Sequence, residues 1–266
     1  METVGVTSVY GGSGDPKRGM ELLWGTREQP KRGPKPKLTV PHIAAVAVEL
    51  ADAEGIGSLS MRKVAARLGV TAMSLYSYVP AKGELIDVMI DTVLGELPSG
   101  EHDGDWRARL AAVARQNWEL YRRHPWLMQL ATSRPVLGPN LIARYDYELR
   151  AVADIGLSDV EMDLVVGLVA NYAHGAVRGA VEVAEGEQRT GKTDEDWWRE
   201  HEPLLAKVFD TDRYPVAARV GVAAGTEYGA AIDPSRAFEF GLERVLDGVA
   251  VLVERQRGRA ADTGSL

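Results

Sequence analysis

Apolar residues recur every three or four positions along most of the chain, which is the pattern of helices that bury one face. Ser60 and Thr71 are suitable helix N-caps, and Gly69 between them is a turn residue. Pro80 stops the helix that begins at Thr71 and runs through Tyr78. The apolar stripes of the first two helices are Ile43, Val46, Ala47 and Leu50, then Met61, Val64, Ala65 and Leu68. The pattern predicts three short helices within residues 38–82.

Beyond residue 82 the helical periodicity continues, interrupted by clusters of Gly, Pro, Asp and Ser. Helices are predicted over 82–97, 105–123, 125–131, 139–155, 158–185, 194–209, 215–223 and 235–256. The sequence contains no alternating run of useful length for a strand, and no internal repeat. The predicted fold class is all-α, a small three-helix domain followed by a larger helical bundle.

Composition divides the chain into four segments. Residues 1–37 are rich in Gly, Pro, Lys and Arg, and the stretch "QPKRGPKPK" is typical of an extended, charged arm. We expect a flexible basic arm over 1–37, the three-helix domain over 38–82, the bundle over 83–256 and a disordered tail over 257–266.

Charge is distributed unevenly between the two ends of the chain. Residues 1–82 carry eleven Lys and Arg against seven Asp and Glu, whereas the remaining residues carry 20 basic and 31 acidic side chains. A basic N-terminal part in a protein of net charge -7 indicates a polyanionic partner at one end.

The 266-residue chain has no cysteine, which excludes disulfides, thiolate metal sites and cysteine nucleophiles. Its first residues lack the apolar core of a signal peptide, and no stretch approaches the ~20 uninterrupted apolar residues of a membrane span. We expect a cytoplasmic protein that has no membrane partner.

The second and third predicted helices match the helix-turn-helix arrangement, which places its last helix in the DNA major groove. The exposed start of the third helix consists of small or slim residues, namely Thr71, Ala72, Met73 and Ser74. Tyr76 and Tyr78 would place hydroxyl groups near flanking phosphates, and Lys82 would add positive charge at the next helix N-terminus. The alternative is a helical hairpin with a solvated basic face.

Two parts of the sequence resemble a known family. "LADAEGIGSLSMRKVAARLGVTAMSLYSYVPAKGELIDVMID" resembles the DNA-binding domain of TetR-type transcriptional regulators. "HPWLMQLATSRPVLGPN", "GLSDVEMDLVVGLVANYAHGAVRG" and "RAFEFGLERVLDGVAVLV" resemble the C-terminal domain of the tetracycline-repressor branch. The resemblance implies a homodimer on double-stranded palindromic operator DNA, released by a small-molecule effector that is not identified.

The resemblance also assigns DNA contacts residue by residue. Arg62 matches a guanine-contacting Arg, and Arg to guanine is the commonest specific base contact. Ala72 stands where the tetracycline repressors carry a base-reading Gln, so the operator sequence cannot be carried over. The full predicted set is Lys31, Arg32 and Lys35 of the arm with Ser60, Arg62, Thr71, Ala72, Met73, Ser74, Tyr76, Tyr78 and Lys82. The alternatives are a solvated surface role for Arg62 and a packing role for Tyr78.

Small residues and an apolar stripe mark two helices of the bundle. In the family, the corresponding helices form the four-helix dimer interface, although internal core packing would produce the same patterns. The predicted dimer contacts are Gly167, Asn171, Gly175 and Gly179 in one helix and Phe238, Leu242, Val245 and Val249 in the other.

A mostly apolar ligand pocket is expected inside the bundle. Its candidate lining residues are Trp118, Tyr121, Trp126, Met128, Tyr145, Asn171, Tyr172 and His174, and each could instead be a core residue. The magnesium–drug chelate of the tetracycline repressors is not expected, because their His aligns with Leu130 and their metal-related acid falls at Gly179. No cofactor and no metal site are predicted, since "DEDWWREHE" has no tight ligand spacing.

Three functions compete on this evidence. The first is a ligand-released, homodimeric transcriptional repressor. The second is an all-α enzyme with an accessory DNA-binding head, although no serine–histidine or paired-carboxylate motif stands out. The third is an architectural DNA binder, which would not need the large acidic bundle.

Overall fold

The computed structural model describes residues 15–26, 38–130 and 134–263, and this part of the chain contains helices and no strand. The eleven α-helices are α1 (Pro16–Leu23), α2 (Val40–Glu54), α3 (Met61–Arg67), α4 (Ala72–Tyr76), α5 (Lys82–Leu94), α6 (Trp106–Arg123), α7 (Pro139–Arg150), α8 (Asp159–Thr190), α9 (Asp194–Val208), α10 (Pro215–Tyr228) and α11 (Pro234–Thr263). Short 3-10 turns occupy Ile56–Ser58 and Pro125–Gln129. The all-α prediction is confirmed.

Side-chain caps fix the starts of the short N-terminal helices. The Ser60 hydroxyl accepts the backbone N–H of Lys63 (3.3 Å), and the Thr71 hydroxyl accepts that of Ser74 (3.2 Å). Gly69, with φ +68°, makes the turn between α3 and α4 in a backbone conformation that disfavours other residues. Helix α4 ends at Tyr76, two residues before the predicted end.

The head, which we define as α2 to α5, packs around an apolar core that Leu120 of α6 and Trp126, Leu127 and Leu130 after it also join. Leu75 and Val79 are fully buried and hold α4 against α2, α3 and α5. Leu85, Ile86, Met89 and Val93 of α5 belong to the same core. The predicted domain boundary at residue 82 is therefore too early, because the apolar face of α5 completes the head.

The body, defined as α6 to α11, is built around α8, which packs along α6 and α11. Trp118 of α6 stacks on Phe238 of α11 with ring centroids 4.3 Å apart. Phe238, Leu242 and Val249 are buried within the protomer, together with Leu246 and Val253. The prediction that this stripe forms the dimer contact is wrong for these three residues, since α11 uses it to cover α8 and α6.

Helix α1 lies within the segment predicted to be a flexible arm. Asp15 caps it by accepting the backbone N–H of Lys17 (2.9 Å), and Pro16 starts it. The helix packs against α5, and the Trp24 indole N–H donates to the carbonyl of Leu137 (2.9 Å). The flexible-arm prediction is wrong for residues 15–26, because an amphipathic helix here finds a packing surface.

The last helix also exceeds its predicted range, because α11 continues through Thr263 and thus through most of the predicted disordered tail. Residues 125–129 form a 3-10 turn where an α-helix was predicted. Helix α8 extends to Thr190, starting in a capping box between Ser158 and Glu161 and ending at the left-handed Gly191.

One described helix, α8, is long and apolar enough to span a membrane by length and composition. A core helix passes the same test, and α8 carries the packing of α6 and α11. This single helix is weak evidence for a membrane partner.

The head is joined to the body through Asp91 of α5. Its Oδ1 accepts the backbone N–H groups of Asn140 (3.1 Å) and Leu141 (3.0 Å), which caps the first turn of α7. Burial raises the pKa of Asp91, while these hydrogen bonds act in the opposite direction. A Cβ at Gly138 would collide with the Asp91 carboxylate, so glycine permits the close approach.

Candidate nucleic-acid interface and ligand-binding body

The exposed face of α4 presents the predicted base-reading residues to solvent. Thr71, Met73 and Ser74 are exposed, with Met73 79% accessible, and Ala72 is half-buried. Leu75 on the opposite face is fully buried and fixes the helix to the head. An exposed apolar Met above a buried anchor is suited to contact with a thymine methyl group or a sugar edge.

Two neighbouring basic residues at the start of α3 differ in their partners. Within the described chain, the exposed Arg62 makes no hydrogen bond or ion pair. Lys63 Nζ lies 2.6 Å from Glu54 Oε2, and this contact lowers the pKa of Glu54. The Arg62 guanidinium is therefore available for a base, whereas Lys63 is committed to an acid of the head.

The flanking residues separate into exposed and half-buried groups. Tyr76 is exposed, but Tyr78 is partly buried against the head core, which is the packing role considered above. The Ser60 hydroxyl already serves as a helix cap. Lys82 is half-buried at the start of α5, and burial lowers its pKa. Lys31, Arg32 and Lys35 lie outside the described residues.

A groove of about 440 Å³ runs between α7 and α8, within the size range of small-molecule sites. The predicted pocket residues Tyr145 and Asn171 both line it. The Tyr145 hydroxyl donates to Asp163 Oδ1 (2.7 Å), and this bond raises the pKa of Tyr145. Leu164 and Leu168 supply apolar wall, and Glu148 lies at its base.

The other predicted pocket residues lie at different places. Trp118 belongs to the body core, and Tyr121, Met128 and Tyr172 pack against that core, with the Tyr172 hydroxyl donating to the Phe238 carbonyl (2.7 Å). His174 meets Tyr121 edge-on with centroids 5.1 Å apart. Trp126 is part of the head core and donates to Asp52. The structure therefore brings Tyr145 and Asn171 into one groove and does not gather all eight.

A buried ion network, which the sequence reasoning missed, lies beside this groove. Arg144 Nε donates to Glu148 Oε1 (2.7 Å), and both side chains are at least 90% buried. The guanidinium also donates to Gln116 Oε1 (2.7 Å) and Asn117 Oδ1 (3.1 Å). Burial and the Glu148 charge raise the pKa of Tyr121. An i,i+4 Arg–Glu pair in α7 was the sequence signal, but nothing in the sequence marked the pair as buried.

No group of three or more His, Cys, Asp or Glu side chains capable of holding a metal occurs among the residues that the structure describes. In the acidic stretch of α9, Arg199 pairs with Glu195 (2.8 Å) and Asp196 (2.7 Å). His201 stacks on Trp197 with centroids 4.0 Å apart. These contacts are those of a solvated helix.

An apolar stripe on α8 is uncovered in the protomer. We call Val160, Leu164 and Leu168 the α8 stripe; they follow at spacings of four, and Leu164 is 63% exposed. Asn171 and Gly175 continue the same exposed face, while Gly167 and Gly179 are half-buried. On α11, Phe240 is 65% exposed and Val245 is half-buried. A face of this kind marks an interaction site.

Comparison with known proteins matches both parts of the chain. Residues 43–89 match "Bacterial regulatory proteins, tetR family", and residues 97–253 match "Tetracyclin repressor-like, C-terminal domain". The interval between the two matches agrees with a head that includes α5.

Relatives agree with this assignment. The chain is 47% identical to the HTH-type transcriptional repressor DrrR1 of Streptomyces coeruleorubidus over 94% of this chain and 91% of that protein. It is 28% identical to the class A tetracycline repressor protein from transposon 1721 of Escherichia coli, over 80% of this chain and 91% of that protein. The solved structure of Streptomyces coelicolor ActR in complex with actinorhodin matches this chain with a TM-score of 0.64 at 26% identity. The match covers 81% of this chain and 98% of the ActR chain. The chain belongs to the TetR family of DNA-binding transcriptional regulators.

Proposed function

We propose that this protein is a homodimeric repressor that a small molecule releases from a palindromic operator. The observation that carries the proposal is the exposed face of α4 on a head whose last helix, α5, is also tied to the body through Asp91. A change in the body around α7 can thereby reach the DNA-reading helix.

The dimer would form through the α8 stripe and the exposed side of α11. Closed two-fold assemblies are the commonest oligomers, and a two-fold dimer reads two inverted half-sites. Gly167, Asn171 and Gly175 lie on or beside this face and would let the partner helix approach closely, whereas Gly179 faces Pro234 of the same protomer. Val245, half-buried, would sit at its edge.

The effector would occupy the groove lined by Tyr145 and Asn171. The groove combines apolar walls with a tyrosine hydroxyl and carboxylates, which is the usual composition of a small-molecule site. Its walls Leu164 and Leu168 also belong to the α8 stripe, so the effector would bind at the edge of the proposed dimer contact. The related ActR has been solved with actinorhodin and with (S)-DNPA bound, which supports a small organic effector here. Leu130 and Gly179 stand where a magnesium-chelate binder carries its metal-related residues, so the proposal includes no metal or other cofactor.

In this proposal the protein acts in the cytoplasm, where it binds DNA and its effector and catalyses no reaction. Its proposed DNA contacts are the exposed Arg62 and the face of α4, with Lys82 on a phosphate. The arm residues Lys31, Arg32 and Lys35 would track phosphates or enter the adjoining minor groove.

Arg62→Ala and Lys82→Ala should separate base reading from phosphate binding. The Arg62 change should cost about 1–3 kcal/mol on the cognate site and relax the preference at one base pair. The Lys82 change should weaken all sequences similarly and reduce the salt slope by about one unit. Binding to a panel of single-mismatch duplexes at several salt concentrations measures both effects. An unchanged base preference for Arg62→Ala would refute the guanine contact.

Reciprocal linkage tests the repressor mechanism as a whole. A duplex selected from a random library by the wild-type protein should contain two inverted half-sites with centres about 34–36 Å apart or a multiple of this. A compound found through thermal stabilisation of the free protein should bind the DNA-bound dimer more weakly, by a coupling of about 1–3 kcal/mol. Calorimetry with and without the duplex measures this difference. Equal affinities would rule out ligand-driven release.

A further inference from the structure

His124 is a buried imidazole held between two carboxylates. Its Nδ1 lies 2.7 Å from Asp52 Oδ1, and its Nε2 lies 3.1 Å from Glu96 Oε2. The imidazole side chain is 4% exposed, whereas the two carboxylates are about one-third exposed. Both ring nitrogens therefore face acids, and the ring itself is shielded from water.

The hydrogen-bond pattern around the two acids decides the charge of the ring. Asp52 Oδ1 also accepts the indole N–H of Trp126 (2.7 Å), and Glu96 Oε2 also accepts from Arg123 Nη1 (3.0 Å). Burial raises the pKa of Glu96, whereas the hydrogen bond and the charge of Arg123 lower this pKa whatever the state of the ring. Each oxygen is thus an acceptor, and a neutral imidazole has only one N–H to donate. With both carboxylates ionised, both contacts are satisfied only by the doubly protonated ring.

The positions of the three residues make this contact a link between head and body. Asp52 lies in the last turn of α2, and Glu96 follows α5 by two residues, so both acids belong to the head side. His124 ends α6, and its backbone N–H donates to the Leu120 carbonyl (2.9 Å). A cation is favoured at a helix C-terminus, and it would also offset the unfavourable position of an acid in the last turn of α2. Helix α6 also carries Trp118 and Tyr121 of the body.

We infer that His124 is a positioning residue whose imidazolium charge, shared between Asp52 and Glu96, holds the head on the body in the DNA-binding arrangement. This inference rests on the proposed function for its DNA readout. Loss of the ring proton would leave one nitrogen lone pair facing a carboxylate and would weaken this link between head and body. DNA affinity should therefore fall as the pH rises.

Other charges nearby bear on the pH dependence. Arg123 contacts Glu96 directly. The cleft beside Asp52 is also lined by the charged side chains Glu54 of α2, Glu119 and Arg122 of α6, and Glu185 of α8. The acids among them favour the charged ring, and the arginines oppose it.

Glu96→Gln tests the charge requirement without removing the contact. With the Gln amide nitrogen at the position of Oε2, its N–H can donate to a bare Nε2, and Nδ1–H can still donate to Asp52. Arg123, which is 62% exposed, then turns to the other oxygen of the side chain or to water. The DNA probe is a duplex that the wild-type protein selects from a random library. Between about pH 6 and about pH 9, the affinity of the wild-type protein for this duplex should fall about threefold to tenfold more than the affinity of Glu96→Gln. Fluorescence anisotropy measures the two profiles. Parallel profiles would overturn the inference.

His201→Gln is the matched control, because His201 is an exposed histidine on α9 and should leave the wild-type pH profile unchanged. The charge itself is read by NMR of protein labelled with ¹⁵N-histidine, with the His124 signal assigned through His124→Gln. Two protonated ring nitrogens at neutral pH support the inference, and the signature of a neutral tautomer overturns it. This measurement needs no DNA, so a failure to select any duplex would count against the proposed function alone.

Discussion

Replacement of Arg144 by Met should lower the free energy of unfolding by about 3–5 kcal/mol, since it leaves the buried Glu148 carboxylate without its cation. The guanidinium is 4% exposed and bonds to Glu148, Gln116 and Asn117 at once. A methionine fills similar volume, so the loss reports the unpaired polar groups rather than a cavity. Guanidinium denaturation at fixed protein concentration measures the effect.

Two controls isolate the cause. Arg178→Met removes an arginine with the same i,i+4 geometry from the exposed Arg178–Glu182 pair of α8, and stability should barely change. The double variant Arg144→Met with Glu148→Leu removes both charges and should recover much of the lost stability. A double variant as unstable as the single one would show that the packing of Arg144, and not the ion pair, is what matters.

Local signals in the sequence predicted much of the fold. Ser60 and Thr71 cap the helices that follow them, and Gly69 makes the turn between. These effects act within a few residues and need no partner from elsewhere in the chain. The starts of α5, α7, α9 and α10 also coincide with the predicted ones, and Thr193 caps α9 while Pro139 and Pro215 open α7 and α10.

The sequence could not say which helix covers an apolar stripe. Phe238 and Leu242 follow the spacing of a dimer contact, yet the protomer buries them against its own α6 and α8. Steps of three and four residues describe one face of a helix and carry no information about what lies on it. The exposed stripe on α8 became visible only once the neighbouring helices were in place.

The sequence also did not reveal polar contacts between residues that lie far apart in the chain. Asp52 and His124 are 72 positions apart, and Arg144 meets Gln116 across 28. Each residue alone is typical of a solvated helix surface, because burial depends on how α2, α6 and α7 pack. The eight predicted pocket residues suffered from the same ambiguity, as aromatic side chains serve cores and ligand sites alike.

The double variant Leu164→Arg with Leu168→Arg should convert the proposed dimer to a monomer and sharply lower its affinity for the operator. Both leucines are exposed in the protomer, at 63% and 49%, so the substitution is compatible with the fold of a single chain. Across a two-fold axis the same face meets itself, and four arginines would replace four leucines in one apolar contact. A stable interface buries about 1,600 Å², and unpaired charges at its centre oppose it strongly.

A monomer carries one head and binds one half-site, so it loses the second, intramolecular binding event that a dimer obtains on a palindrome. Such avidity amounts to about 10²–10⁴ in affinity. Native mass spectrometry and anisotropy on the selected duplex measure assembly and binding, with circular dichroism checking that helical content is kept. Val222→Arg, which replaces a 73% exposed valine on α10, should remain dimeric and bind DNA normally. A dimer that survives both arginines on α8 would place the interface elsewhere and remove the basis for close approach at Gly167 and Gly175.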